Sequence, residues 1–363
     1  MIRLAHPRIP ESVHDMLREV LDSGMLTSGK FVGRLEADLS ALVGGRNVVL
    51  VSSGTTAALL AFHILRGHGI SKVVMPDFLY PSIASSALRV GLEVLLVDVE
   101  PERLNIDLAQ VANADLGDGA ALVTVDQFGI PGPNREIRQL ANERGWRWVE
   151  DAACALGSAD RGDWCGSRAD LSILSVHPRK VLTTGEGGAL VSGDEALAEQ
   201  AVQLRNHGLG GLGVDRRFEV PGYNARLSEL HAVVGLAGLG IFEEMLAARR
   251  RLGRLYLDLL DEVDWLSVPP GFATPGANFQ SIVALLDSGV QRTTVMEKLK
   301  AAGVESTIAG YAIHREPAFA GLGRLGPLVH SDEVALRGIA LPLHENMSEK
   351  DVHEVVAALM KAR

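Results

Sequence analysis

The sequence predicts a three-layer α/β/α domain with a mainly parallel sheet, followed by a smaller C-terminal α+β domain. Two patterns and a size argument predict it. Six short apolar runs rich in β-branched residues, at 48–51, 72–75, 93–97, 121–125, 147–150 and 171–175, read as buried strands. They alternate with amphipathic stretches such as 56–66, 82–90 and 136–144, and alternation at this spacing places helices on both faces of a parallel sheet. With 363 residues, 47% hydrophobic and 22% charged, the chain is long enough for more than one sizeable core.

Taken in order, Pro10 followed by 11–21 and closed by Ser23-Gly24 carries the start and stop signals of an N-terminal helix. The strand–helix alternation then runs to about residue 241. From 242 to 263 an Arg- and Leu-rich helix is interrupted only by Gly253. Pro269-Pro270, a strand at 281–286, a helix at 293–302, a loop-rich piece and a last helix at 349–360 complete the chain. The expected division is therefore 1–241 and 242–363.

Composition excludes several function classes. Lys plus Arg total 35 against 45 Asp plus Glu, a formal charge of −10, and without a basic run a nucleic-acid surface is not expected. No stretch approaches the roughly 20 apolar residues of a membrane span. The start, Met1-Ile-Arg-Leu-Ala-His-Pro, lacks a signal-peptide core, so a cytoplasmic location is expected. Cys154 and Cys165 are too few for a disulfide framework or a structural zinc site, and no metal is expected.

In parallel sheets, ligands sit beyond the carboxyl ends of the strands, and four such ends carry chemistry. Ser52-Ser53-Gly54-Thr55-Thr56 opens a helix, where free N–H groups and the helix dipole can hold a phosphate; its plainer reading is an ordinary N-cap. Tyr80, after the second strand, can stack on a planar ring or simply cover the core. Glu150-Asp151 ends a buried strand, where an acid either meets a cation, such as a protonated heterocycle, or caps a helix. Lys180 is the only lysine between Lys72 and Lys298; it follows a buried strand and precedes the Gly-rich Thr184–Gly188 turn. A lysine in a partly desolvated pocket is an amine nucleophile suited to a Schiff base, and a solvated lysine is the simpler alternative. A phosphate cradle, a ring platform, a carboxylate for a ring nitrogen and an amine together describe pyridoxal 5′-phosphate.

On these residues, and on Arg205-Asn-His-Gly208, Gly222-Tyr-Asn-Ala-Arg-Leu-Ser-Glu-Leu230 and Leu341-Pro-Leu-His344, the chain resembles the DegT/StrS family of sugar aminotransferases, fold type I pyridoxal-phosphate enzymes, over nearly its whole length. The resemblance implies that Lys180 attaches the cofactor and that Asp151 pairs with its pyridine nitrogen. It implies that Tyr80 stacks on the ring and that Gly54, Thr55 and Ser175 hold the phosphate. It implies a homodimer with shared active sites, in which Asn224 reaches the neighbouring subunit's phosphate and Arg226 and His314 border the sugar pocket. Many members carry Gln three residues after the Asp, against the cofactor's phenolic oxygen; here that position is Cys154, a weak donor. The implied reaction moves an amino group from glutamate or glutamine, through pyridoxamine 5′-phosphate, to a keto group of a nucleotide-linked sugar or an aminocyclitol precursor. Two other readings share the fold: a pyridoxamine-dependent sugar dehydratase, in which His replaces the lysine, and a non-catalytic regulator.

Overall fold

The computed structural model describes residues 1–117, 119–211 and 215–363. The first elements are α1 (Val13–Ser23), α2 (Lys30–Leu42), β1 (Asn47–Val51), α3 (Gly54–Gly67), β2 (Lys72–Pro76), α4 (Ser82–Arg89), β3 (Glu93–Val97), α5 (Leu108–Ala112) and β4 (Ala120–Val125). Next come α6 (Asn134–Arg144), β5 (Arg147–Asp151), a two-residue ribbon β6 (Ala159–Asp160) and β7 (Asp163–Trp164), then β8 (Leu171–Ser175) and β9 (Gly188–Ser192). A second ribbon, β10 (Leu209–Gly210) and β11 (Arg217–Phe218), follows α7 (Glu195–Arg205) and precedes α8 (Glu229–Leu239). The last third holds α9 (Phe242–Leu260), β12 (Leu266–Ser267), β13 (Ile282–Leu286), α10 (Arg292–Ala301), β14 (Thr307–Ile308), β15 (Gly323–Arg324), α11 (Val329–Arg337), β16 (Gly338–Leu341) and α12 (Glu349–Met360).

Eight strands form the large sheet in the order β1-β9-β8-β5-β4-β2-β3-β15. β9 runs antiparallel to both its neighbours, and all other pairs are parallel. Side chains alternate across the pleat, so Val49 and Val51 join the core under α3, α4 and α7 while Val48 and Leu50 join the one under α1, α2 and α8. Val74, Leu122 and Trp148 pack with α5 and α6 in a third core. The four-stranded antiparallel sheet β12-β13-β16-β14 packs with α9, α10 and α12 around Leu252, Tyr256, Leu299 and Val355. No single helix among the described residues is long and apolar enough to cross a bilayer.

All six runs expected as strands are strands of the large sheet. Two further strands in that sheet were not among them. β9 begins in the glycine cluster that reads as a turn, because its first residue is chosen by contact and not by propensity: a Cβ on Gly188 would overlap the amide nitrogen of Gly54. β15 comes from the C-terminal segment and pairs with β3 through Gly323 and Leu95, so chain beyond 242 also borders the first sheet. The loop-rich piece after 302 contains β14, α11 and β16. Helix α2 has no side-chain cap of its own. Its first N–H groups, on Gly29, Phe31 and Val32, donate to the buried Glu229 carboxylate at 3.0, 2.8 and 2.9 Å, an anion at a positive helix end supplied from 200 residues away.

Candidate active site

Strand ends β1, β4, β5 and β8 open into one cavity of about 590 Å³, lined by Gly54, Thr55, Asp151, Cys154, Ser175 and Lys180 among others. At one end lies the start of α3. Ser53 is extended and caps the helix, its Oγ accepting from Thr56 N–H at 3.0 Å. The cap thus satisfies one donor and leaves the N–H groups of Gly54 and Thr55 beside Ser175. A Cβ on Gly54 would stand 3.1 Å from the Ser175 Cβ, tighter than ordinary contact. Glycine at 54 and at 188 is what lets the helix start, β8 and β9 converge. The result is a small concave end with a positive dipole and a hydroxyl, chemistry that fits a phosphate.

Asp151 closes β5, lines the same cavity and is 5% exposed. Its carboxylate accepts from Ala153 N–H at 3.0 Å. Burial pushes its pKa up to about 6, against the lowering pull of that hydrogen bond and of Lys180. A carboxylate so held gains from a cationic partner, which a protonated pyridine nitrogen supplies.

Lys180 sits on the turn after β8, its N–H donating to His177 O at 2.8 Å. Its Nζ lies 3.0 Å from Cys154 Sγ, so the residue found in place of the family's Gln faces the amine directly. His177 also lines the cavity, and burial lowers its pKa. Tyr80 stands at the mouth, 67% exposed, with its ring edge-on to Tyr311 at 6.3 Å between centroids. It borders both this cavity and an adjoining one of about 310 Å³ that reaches the C-terminal segment at Gly310, Tyr311 and Leu341.

Three expected residues lie elsewhere. Asn224 bridges to Asn206, and Arg226 Nη1 donates to Asn206 Oδ1 at 2.6 Å, with the Asn224–Arg226 stretch laid against the end of β1. Neither residue lines the cavity of its own chain. His314 has both ring nitrogens against acids, Nδ1 on Asp77 at 2.6 Å and Nε2 on Asp332 at 3.2 Å. It ties the end of β2 to the segment that carries Tyr311, and burial raises the Asp77 pKa against the opposing pull of His314.

Sequence reasoning did not single out Gln127, Asn278 or Gln280. Gln127 lines both cavities and donates from Nε2 to Phe78 O at 2.6 Å. Asn278 Nδ2 donates to the carbonyls of Cys154 and Leu156 at 3.0 and 2.9 Å. Gln280 accepts from Val181 N–H at 3.1 Å and donates to Arg179 O, clasping the turn that carries Lys180 from both sides. The only local mark on this segment is Phe279, a non-glycine residue at φ 53°. Gln280→Leu leaves the buried Val181 N–H unpaired and frees the turn. Stability should fall by about 1–3 kcal/mol, read from denaturant unfolding, and kcat should fall while Km for the amino donor changes less. An unchanged kcat would show that Gln280 does not position Lys180.

Residues 7–360 match the DegT/DnrJ/EryC1/StrS aminotransferase family. GDP-perosamine synthase of Caulobacter vibrioides is 30% identical over 364 residues, covering 99% of this chain and 97% of that protein. The dTDP-4-dehydro-2,3,6-trideoxy-D-glucose 4-aminotransferase of Saccharopolyspora spinosa is 26% identical over 375 residues, covering 100% and 97%. The crystal structure of an aminotransferase, TlmJ, from Streptoalloteichus hindustanus superposes with a TM-score of 0.91 at 30% identity, covering 100% of this chain and 98% of that one.

Proposed function

The chain belongs to the DegT/DnrJ/EryC1/StrS aminotransferase family, and from that premise we propose that it transfers an amino group from glutamate or glutamine to the 4-keto group of a nucleotide-linked sugar. The cofactor is pyridoxal 5′-phosphate, with pyridoxamine 5′-phosphate between the half-reactions. One observation carries the reading: the α3 start with Ser175, the buried Asp151 carboxylate and the Lys180 amine line a single cavity. Preference for a sugar nucleotide over a cyclitol rests on the two relatives, whose names specify GDP- and dTDP-linked compounds.

When bound, the cofactor supplies an electron sink for the carbon that loses its proton. The N–H groups of Gly54 and Thr55 and the Ser175 hydroxyl would hold the phosphate. Asp151 would hold a proton at the pyridine nitrogen, Tyr80 would cover the ring, and Cys154 would take the place of the amide that many family members set against the phenolic oxygen. With the cofactor bound, Lys180 would attach it and, as a free amine, would move the proton between the Cα of the donor and the cofactor carbon. Because Lys180 is present, the dehydratase chemistry that depends on His at this position is disfavoured.

The assembly we propose is a cytoplasmic homodimer. Asn224 and Arg226, which do not line their own cavity, serve the partner's phosphate and sugar, and His314 borders the sugar pocket by fixing the Tyr311 segment. The unit 1–241 holds the cofactor and 242–363 closes over it.

The test is direct. Purified chain with pyridoxal 5′-phosphate and glutamate is offered GDP- and dTDP-linked 4-keto sugars beside keto-inositols, and the amine product is identified by mass. Turnover on keto-inositols alone would overturn the sugar assignment, and no bleaching of the bound cofactor by either amino donor would overturn transamination itself.

A further inference from the structure

Behind Asp151 lies a group of side chains that the proposed reaction does not use. Glu150 precedes Asp151 on β5 and so points to the opposite face of the sheet. There it meets Asp126, from the end of β4, and Arg168, from the segment between β7 and β8; the three side chains are 0%, 1% and 2% exposed. Arg168 Nε donates to Glu150 Oε1 at 2.6 Å, and Nη2 donates to the two Asp126 oxygens at 2.7 and 2.6 Å. Ser172 Oγ on β8 donates to the other Glu150 oxygen at 2.8 Å, and Gly132 N–H to Asp126 at 2.8 Å.

Two carboxylates against one guanidinium leave one net negative charge in a place closed to water. Such a charge is costly unless a proton is shared. Burial pushes Glu150 up to about 7, with Asp126 adding to the rise and Arg168 and Ser172 opposing it. The other groups facing this cluster are Cys165, buried beside it, and Arg138 of α6, which donates to Arg168 O at 2.6 Å and is itself paired with Asp170 at 3.1 Å.

The cluster is joined to the active site by short links. Glu150 and Asp151 are consecutive, Asp126 N–H donates to Asp151 O at 3.0 Å, and Asp126 is followed by the cavity-lining Gln127. We propose that Asp126, Glu150 and Arg168 form a positioning unit for the reaction, whose negative charge behind Asp151 holds the proton at the pyridine-nitrogen end of the cavity. A negative charge nearby favours the protonated form of that pair, and Glu150 already acts to raise the Asp151 pKa. When the cluster binds its own proton, the support disappears. The inference rests on Asp151 being the partner of the ring nitrogen.

The experiment is a pH titration of the visible absorption of the enzyme reconstituted with pyridoxal 5′-phosphate, with thermal unfolding followed at each pH. Wild type should show a spectral step near neutrality, matched by a step in kcat. Glu150→Gln should lack it. Asp126→Asn leaves one carboxylate against one guanidinium, and its step should move to lower pH by about one unit or more. If both variants keep the wild-type step, whatever happens to their stability, the cluster is structural only and the proposal fails. Should Glu150→Gln not fold, Asp126→Asn decides alone. Asp151→Asn is measured alongside: if it keeps the wild-type spectrum and rate, the reading of Asp151 fails, an outcome separate from persistence of the step in the cluster variants.

Discussion

Lys180→Ala gives a folded chain in which transamination falls by about 10²–10⁴-fold or more, the range lost when a positioned proton-transfer group is removed. Among the described residues Lys180 is the only lysine lining the cavity, and the other basic side chains there, His177 and Arg179, carry no primary amine. Among the described residues its amine makes one hydrogen bond, to Cys154, and no salt bridge, so the melting temperature should hardly move. Single-turnover bleaching of bound cofactor by glutamate measures the effect. Borohydride reduction and peptide mapping of wild type should place the label on Lys180. A label on any other lysine, or a variant within about tenfold of the wild-type rate, would sink the assignment.

Asp151→Asn separates stability from activity, with opposite signs. In the chain without cofactor the Asp151 carboxyl is held at about 6, above its ordinary 3.8. The stability its proton brings is complete below 3.8 and is lost as pH rises through about 6. By pH 7 wild type has forgone about 3 kcal/mol relative to acid, and an amide of the same shape forgoes none of it. The cofactor-free variant should therefore unfold at higher denaturant than wild type near neutral pH, and the gap should close toward pH 4. With cofactor bound, the same variant should lose about 10²-fold or more in kcat, because an amide supplies no charge to hold the ring-nitrogen proton. A variant destabilised at all pH values, or one with near-normal turnover, would contradict the role assigned to this carboxylate.

The grouping of the candidate site residues was legible wherever it follows from order along the chain. Lys180, Asp151, Ser175 and the Ser53–Thr55 turn each stand at the end of a short apolar run, and in a parallel sheet those ends meet at one edge. Placing them together needed only the period of the strands and the spacing of the helices. Residues whose duty depends on a distant partner were not legible. Asn278 and Gln280 carry no local signal until they are seen bonded to Cys154 and to the Lys180 turn, 124 and 99 residues away. Arg168 reads as one arginine among many, and nothing near His314 in the sequence marks Asp77 and Asp332 as the partners of its two nitrogens.

By itself, then, the sequence determined the six strands, the α/β layering, the C-terminal helices α9, α10 and α12 and the set of side chains at the strand ends, because hydrophobic period and turn residues act within a dozen positions. Tertiary structure alone decided the antiparallel insertion of β9 between β1 and β8, the return of β15 to the first sheet, the capping of α2 by Glu229 and the buried charge cluster behind Asp151. Each of these is settled by what a backbone or a charge meets across a long stretch of chain. Gly188 is needed because another backbone passes where its Cβ would be, and Arg168 is buried because two carboxylates wait for it; neither demand leaves a local pattern.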